Sequence, residues 1–391
     1  MAYSALAAVG GLDKAVAIAS LSATTKLLSS IGLGGLAAKK EGVLDAAAVS
    51  ALSRLTYWVF QPAFLLCSVS KTLCNAATGG GGLPGRFLAV MPAAAVLQIG
   101  LGAIAGMFIT KTAGLQDAEA RDVRMCTTFA NSGPLPLIFA DALFAGSTLQ
   151  AEVAACVSFY LLIWSPLFWS FGRVILGTYD DEDADAAASI TGVGKIVKEA
   201  KKILSPPVIG SILGVIVGSV PFLQKAFFGG FATPLFGALQ TLGTAYLPAA
   251  ILVLAGSLVG SKKAPVSSDE ATVNGTAQVS TAPSVKAVVS IFISRFLMAP
   301  LLSLGLLKSF VYFGLLGPVG TRARAVVSFV LLMEGCMPPA QNSVIMLQLE
   351  GLKERASVMA KLLTLMYSLA VIPVTILLST CLASSGIMLF K

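Results

Sequence analysis

The sequence predicts an all-α polytopic membrane protein: ten transmembrane helices as two inverted five-helix repeats, with broken helices 4 and 9 crossing. Three observations carry this. The chain of 391 residues is 56% hydrophobic and only 12% charged, where a soluble domain carries about 25% charge. Ten apolar stretches, each long enough for the roughly 20 residues that a span needs, follow one another. The fourth and ninth of them each hold prolines and amides that an uninterrupted span would exclude.

The elements follow in order. The first span, near 15–38, carries Lys26 midway. An ammonium there could attract a carboxylate or pair with Glu334, or simply snorkel to an interface. The second, near 45–70, sets Gln61 before Pro62, where the amide could face a cavity. The third runs near 87–110. The fourth, near 123–146, contains FANSGPLPLIFAD (129–141), and the fifth, near 152–177, carries Tyr160, an aromatic able to stack on a ligand ring. For Gln61 and Tyr160 generic packing is the competing reading.

A hydrophilic stretch, 178–202, then divides the chain, and its 193–204 part reads as a surface helix with a basic face. The sixth and seventh spans lie near 203–221 and 232–260. Residues 261–286 read as a disordered cytosolic linker. The eighth span, near 287–310, carries Arg295, expected to serve structure through an intramembrane pair. The ninth, near 322–347, contains MEGCMPPAQN (333–342), and the tenth runs near 357–388.

Residues 1–177 and 203–388 thus form two five-helix repeats joined by a cytosolic loop. An odd-numbered repeat flips orientation in the membrane, so the pair is inverted. With the N-terminus outside, the loops assigned to the cytosol hold the larger share of Lys and Arg, among them Lys39, Lys40, Arg121, Arg124, Lys201, Lys202, Lys262 and Lys263. The positive-inside rule then places both termini on the non-cytosolic side. Asn274 opens an NGT sequon, which this topology leaves in the cytosol and unglycosylated.

The two breaks are the candidate site. One offers Asn131, Ser132, Gly133, Pro134 and Pro136; the other offers Pro338, Pro339, Gln341 and Asn342. Broken helices at matching positions of two repeats point to a transporter binding site. Irregular backbone in hydrocarbon costs several kcal/mol per unpaired group unless protein or a water-filled cavity satisfies it. Two breaks that cross would cover one another, and their half-helix N-termini would suit a carboxylate. The plainer alternative is a pair of proline kinks that serve packing. Glu334, one turn before the prolines, is the possible coupling residue, able to carry a proton or to pair with Arg295.

Other chemistries are disfavoured. There is no histidine, which argues against zinc peptidase and histidine-dependent acyltransferase chemistry. No GxxxxGK[ST] loop is present, so the chain has no P-loop of its own. Six cysteines scattered without a CxxC read as small buried hydrophobes. The expectation is no enzyme, no metal, no cofactor and no nucleic-acid partner; the +8 net charge marks cytosolic loops.

These residues carry a family resemblance. KLLSSIGLGGLAAKKEGVLDAAAVSALSRLTYWVFQPAFLLCSVSKTL (26–73), NSGPLPLIFADAL, ILSPPVIGSILGVIVGSVPFLQK (203–225), LGTAYLPAAILVLAGSL (242–258), SRFLMAPLLSLGLLKSFVYFGLL (294–316) and LLMEGCMPPAQNSV keep one order along the chain. That series resembles the auxin efflux carrier superfamily, and most of all its PIN-LIKES branch. Pro134 stands where the family commonly has asparagine, and Met333 and Glu334 replace its usual glutamine and apolar residue.

The resemblance implies a scaffold of helices 1, 2, 6 and 7. The remaining helices form a transport domain whose fourth and ninth members cross at the substrate. It implies elevator-type carriage of indole-3-acetic acid or a similar organic anion across the endoplasmic reticulum membrane, and a homodimer. The leading expectation is therefore a secondary carrier of an auxin-like monocarboxylate in a lipid bilayer. The alternatives are a carrier of a dicarboxylate or other organic acid, and a non-transporting receptor on the same scaffold.

Overall fold

The computed structural model describes residues 14–40, 43–77, 83, 85–177, 204–260 and 282–390. The expected surface helix at 193–204, the linker at 261–286 and Asn274 lie outside the described residues, save the last residues of the two stretches. Among the described residues every regular element is helical.

Helix α1 spans Lys14–Lys39. Helix α2 starts as Ala46–Leu55, passes through a π-helical turn at Thr56–Phe60 and continues as Gln61–Ala77. Helix α3 is Val90–Thr112. The fourth element is two half-helices, α4a at Asp117–Thr128 and α4b at Pro134–Phe144. Helix α5 is Thr148–Leu176 and α6 is Pro206–Ser219, followed by a short helix, Pro221–Gly229, turned by 98°. Helix α7 comprises Thr233–Thr244 and Tyr246–Gly260. Helix α8 is Val285–Ile293, a π-turn at Ser294–Met298, and Ala299–Tyr312. The ninth element again has two halves, α9a at Arg322–Gly335 and α9b at Asn342–Leu349, before α10 at Lys353–Ser385.

The architecture is that of an all-helical, polytopic membrane protein. Among the described residues five helices are each long and apolar enough to cross a bilayer (α3, α5, α7, α8 and α10), and the bent pair beginning at α6 makes a sixth. Three other predicted spans differ for readable reasons. Arg54, Gln61 and Lys71 interrupt α2. The fourth and ninth are cut by their own breaks. The predicted sixth span at 203–221 is a shorter helix than expected, because Pro221 cannot donate to the ladder and opens a new helix instead.

Both π-turns have one cause. Each ends two residues before a proline, Pro62 in α2 and Pro300 in α8. A proline ring clashes with the carbonyl four residues back. One extra residue in the preceding turn, with Gln61 N bonded to Thr56 O and Ala299 N to Ser294 O, lets the helix continue. The turn in α8 is also what carries Arg295.

Two kinds of contact join the helices. Gly210, Gly214 and Gly218 recur every fourth residue, so they share one face of α6. That face lies against α2 at Pro62, Leu66 and Ser70, backbone close to backbone. Elsewhere ion pairs bind the ends of helices. Arg355 of α10 meets Asp122 of α4a at 2.6 Å and donates to Leu176 O at 2.7 Å. Arg322 of α9a meets Glu152 of α5 at 3.0 Å, and Arg173 of α5 meets Glu350 beyond α9b at 3.2 Å. Helices α5 and α10 each contain an internal proline, Pro166 and Pro373, and each ends on a left-handed glycine, Gly177 and Gly386.

Candidate functional site

The two breaks meet. Phe129 leaves α4a in extended conformation, and residues Phe129–Asn131 run antiparallel to Pro338–Ala340. Asn131 N donates to Pro338 O at 2.8 Å, and Ala340 N donates to Phe129 O at 3.0 Å. A single bridge, Ala130 to Pro339, marks the crossing. Two adjacent prolines suit this place. They bring no N–H that hydrocarbon would leave unpaired, so only their carbonyls need partners. Pro338 O has Asn131 N, and Pro339 O takes the Tyr367 hydroxyl at 2.8 Å. Phe129 is further wedged edge-on against Trp164 and Phe168, which stack at 4.8 Å.

Four helix ends converge here. The C-terminal carbonyls of α4a and α9a are partially negative. Arg295, only 4% exposed, answers them. Its Nε and Nη2 donate to Met337 O at 3.0 and 2.6 Å, and its Nη1 donates to Thr127 O at 3.2 Å. The planar fork reaches both breaks at once. The N-terminal ends of α4b and α9b, partially positive, are left facing a narrow space.

That space gathers half of the residues expected from the sequence: Asn131, Gly133, Pro134, Gln341 and Asn342, with Gln61 from α2. Phe64 and Leu65 of α2 and Leu161 and Trp164 of α5 supply an apolar wall. The Gln61 Oε1, both polar atoms of the Gln341 amide and Ser165 Oγ are buried here with no hydrogen-bond partner in the protein. Two tyrosines orient the asparagines. Asn131 Nδ2 donates to Tyr367 Oη at 2.7 Å, and the Asn342 amide meets the Tyr246 hydroxyl at 2.8 Å. Tyr367→Phe removes a link between the two breaks and leaves Pro339 O unmet. Thermal unfolding in detergent should show a loss of about 1–3 kcal/mol, the penalty for one buried unsatisfied group.

Other expected residues sit elsewhere. Pro338 and Pro339 form the crossing itself. Ser132 is fully buried with its hydroxyl toward Ala130 O, and Pro136 is buried in the first turn of α4b. Tyr160 faces a second space, about 450 Å³, on the Arg295 side of the crossing, with Gln98, Ser303 and Glu334. Lys26 is exposed on α1 and lines neither space. The pairing of Lys26 with Glu334 is not formed, because Lys26 is exposed on α1 while Glu334 is 1% exposed and lies beside Ser132 and Arg295. Glu334 makes no direct ion pair with Arg295 either: the two line the same space, and Arg295 directs three of its five N–H groups to backbone carbonyls.

Tyr246, Tyr367 and Trp164 are site residues that the sequence does not single out. Lys71 is another. It lines a wider vestibule of about 820 Å³ that shares Phe64, Pro134 and Tyr246 with the smaller space. Its ammonium lies 5.6 Å from the Phe236 ring centre. No group of three potential metal ligands occurs among the described residues.

Comparison with known proteins identifies a family for the chain. The family model described as Membrane transport protein matches residues 20–378. PIN-LIKES 2 of Arabidopsis thaliana is 32% identical over 142 residues, 36% of this chain and 27% of that protein. PIN-LIKES 6 of the same organism is 30% identical over 163 residues, 41% of this chain and 33% of that protein. PIN-LIKES 1 is 22% identical over 391 residues, covering 90% of this chain and 76% of the relative. The chain thus spans a third or less of the first two relatives and about three quarters of the other.

Proposed function

This chain belongs to the Membrane transport protein family, and from that premise we propose that it is a secondary carrier of indole-3-acetic acid or a similar small organic monocarboxylate. The observation that carries the reading is the convergence of two half-helix N-termini, Asn131, Gln341 and Asn342 on one space with an apolar wall. Helix N-termini and neutral amides hold a carboxylate without burying a counter-charge beside it. The free Gln341 amide is the first donor for it, and Phe64, Leu161 and Trp164 form a wall on which a ring rests. Lys71 in the vestibule would draw the anion toward that space.

The wider architecture follows the same premise. Elements four and nine break, and elements five and ten share an internal proline and a left-handed glycine end. This correspondence supports ten spans as two inverted repeats. Helices α1, α2, α6 and α7 would form a scaffold, and the other helices a transport domain that slides against it. We place the carrier in the endoplasmic reticulum membrane with both termini away from the cytosol, as a homodimer. Glu334 is the group positioned to carry a proton if transport is proton-coupled. An anion moving uncoupled would feel about 2.3 kcal/mol per 100 mV.

The test is uptake of labelled indole-3-acetic acid into proteoliposomes, with and without a membrane potential. Asn342→Ala loses a hydrogen bond to a charged ligand, so transport efficiency is expected to fall by about tenfold or more. Saturable uptake that is unchanged in the variant would move the site elsewhere. Absence of flux for the wild type beside a working control carrier would remove auxin and leave other organic acids, or a non-transporting receptor.

A further inference from the structure

One groove lies beside the crossing and shares only Thr128 with the cavity on the Arg295 side. It occupies about 750 Å³ between α3, α4a and α5. Arg121, Arg124 and Thr128 of α4a form its polar floor, and Met107 of α3 with Phe171 and Val174 of α5 form its walls. Arg124 uses Nε on Thr110 Oγ1 at 3.1 Å, and its terminal amino groups make no hydrogen bond among the described residues. Arg121 is exposed and lies over Gly177, where any side chain would collide with its guanidinium. Neither arginine pairs with a carboxylate among the described residues, because the neighbouring Asp122 is engaged by Arg355. Thr128 is 3% exposed, and its hydroxyl has no partner.

The walls decide what such a floor can hold. Met107, Phe171 and Val174 are 54%, 40% and 57% exposed. They form apolar surface continuous with a cationic pocket. A free anion would use the arginines and leave those walls unmatched. A molecule with a phosphate at one end and acyl chains at the other matches both. Guanidinium groups bind phosphate through paired N–H donors, and basic pockets between membrane helices take lipid head groups. We propose that this groove binds the phosphate headgroup of an anionic phospholipid, with the chains along α3 and α5.

The position gives the site a consequence. Arg121 and Arg124 sit on the half-helix whose C-terminal end Arg295 holds at the crossing. A bound lipid would tie α3, α4a and α5 together at that end.

The experiment is native mass spectrometry of the purified full chain, titrated with phosphatidylglycerol or with phosphatidylcholine. The wild type is expected to retain one phosphatidylglycerol that the double variant Arg121→Gln, Arg124→Gln binds about tenfold or more weakly. Phosphatidylcholine should be retained no better by the wild type than by the variant. Should the double variant fail to fold, Arg121→Gln alone serves, since Arg121 is exposed and has no carboxylate partner among the described residues, and a weaker loss in the same direction is expected. Lys225→Gln, on the short helix after α6, should change nothing. Equal retention of phosphatidylglycerol by wild type and folded variants would overturn the proposal. So would full displacement of the lipid by inorganic phosphate, which would make free phosphate the ligand.

Discussion

Arg295→Gln should be among the most damaging single changes in this protein. The side chain holds Met337 O and Thr127 O, one from each break, at 2.6–3.2 Å in a site only 4% exposed. Glutamine is shorter and has one amide, so at least one of those carbonyls would be left without a donor. Each buried orphan costs about 1–3 kcal/mol, and hydrogen bonds from a charged donor are worth about 1.5–3. The expected loss is about 3–5 kcal/mol, the range seen when one partner of a buried charged interaction is removed. Arg295→Lys should recover little, since an ammonium lacks the fork that spans two carbonyls. Melting temperature in detergent, followed by uptake in proteoliposomes, checks this. An unchanged melting temperature would mean that the crossing is held by its own backbone pairing.

The second large effect is at Gly214. A methyl there would sit 2.9 Å from Leu66 O and 2.9 Å from Val69 Cβ. The obstacle is the backbone of α2 as well as a side chain, so it can give way only if the helices part. Overpacking of this kind costs about 1–3 kcal/mol for small additions and more when backbone must move. Gly214→Val is therefore expected to lower stability by about 3 kcal/mol or more. Gly237 is the internal comparison. Nothing lies within 4 Å of a methyl there, and alanine is the better helix former by about 1 kcal/mol. Gly237→Ala should be neutral or stabilising. Equal effects from the two substitutions would show that general helix propensity, and not the α2–α6 seam, sets the outcome.

The contrast between these residues shows what a sequence discloses. The breaks are legible because prolines and amides in an apolar run would leave polar groups unpaired in hydrocarbon if the helix ran straight through. The π-turns have a visible cause in Pro62 and Pro300, yet their exact length depends on packing. The seam is written in plain spacing at Gly210, Gly214 and Gly218, and small residues every fourth position announce close helix approach. Arg295 is legible as an intramembrane cation but not as the residue spanning both breaks. Its acceptors lie about 40 and 170 positions away in the chain, and no local pattern encodes such distances. Tyr246 and Tyr367 are hidden for the same reason. Lys26 is the opposite case. Its depth along α1 is plain in the sequence, but depth does not fix which face of a helix meets the core, and the structure turns it outward.

The ion pairs also have a mechanical meaning. Arg322–Glu152 fastens one end of α5, Arg173–Glu350 fastens the other, and Arg355–Asp122 pins α10 to α4a. Load applied at either end of that block passes along helices riveted at both ends, so the block behaves as a stiff plate. The glycine seam makes a second plate of α2 and α6 by close fit. Between the plates the fastenings are lighter: the Ser68 and Ser158 hydroxyls at 2.7 Å and Arg173 Nη2 donating to the Tyr57 hydroxyl at 3.4 Å. Stress in such an object collects at its weakest joint.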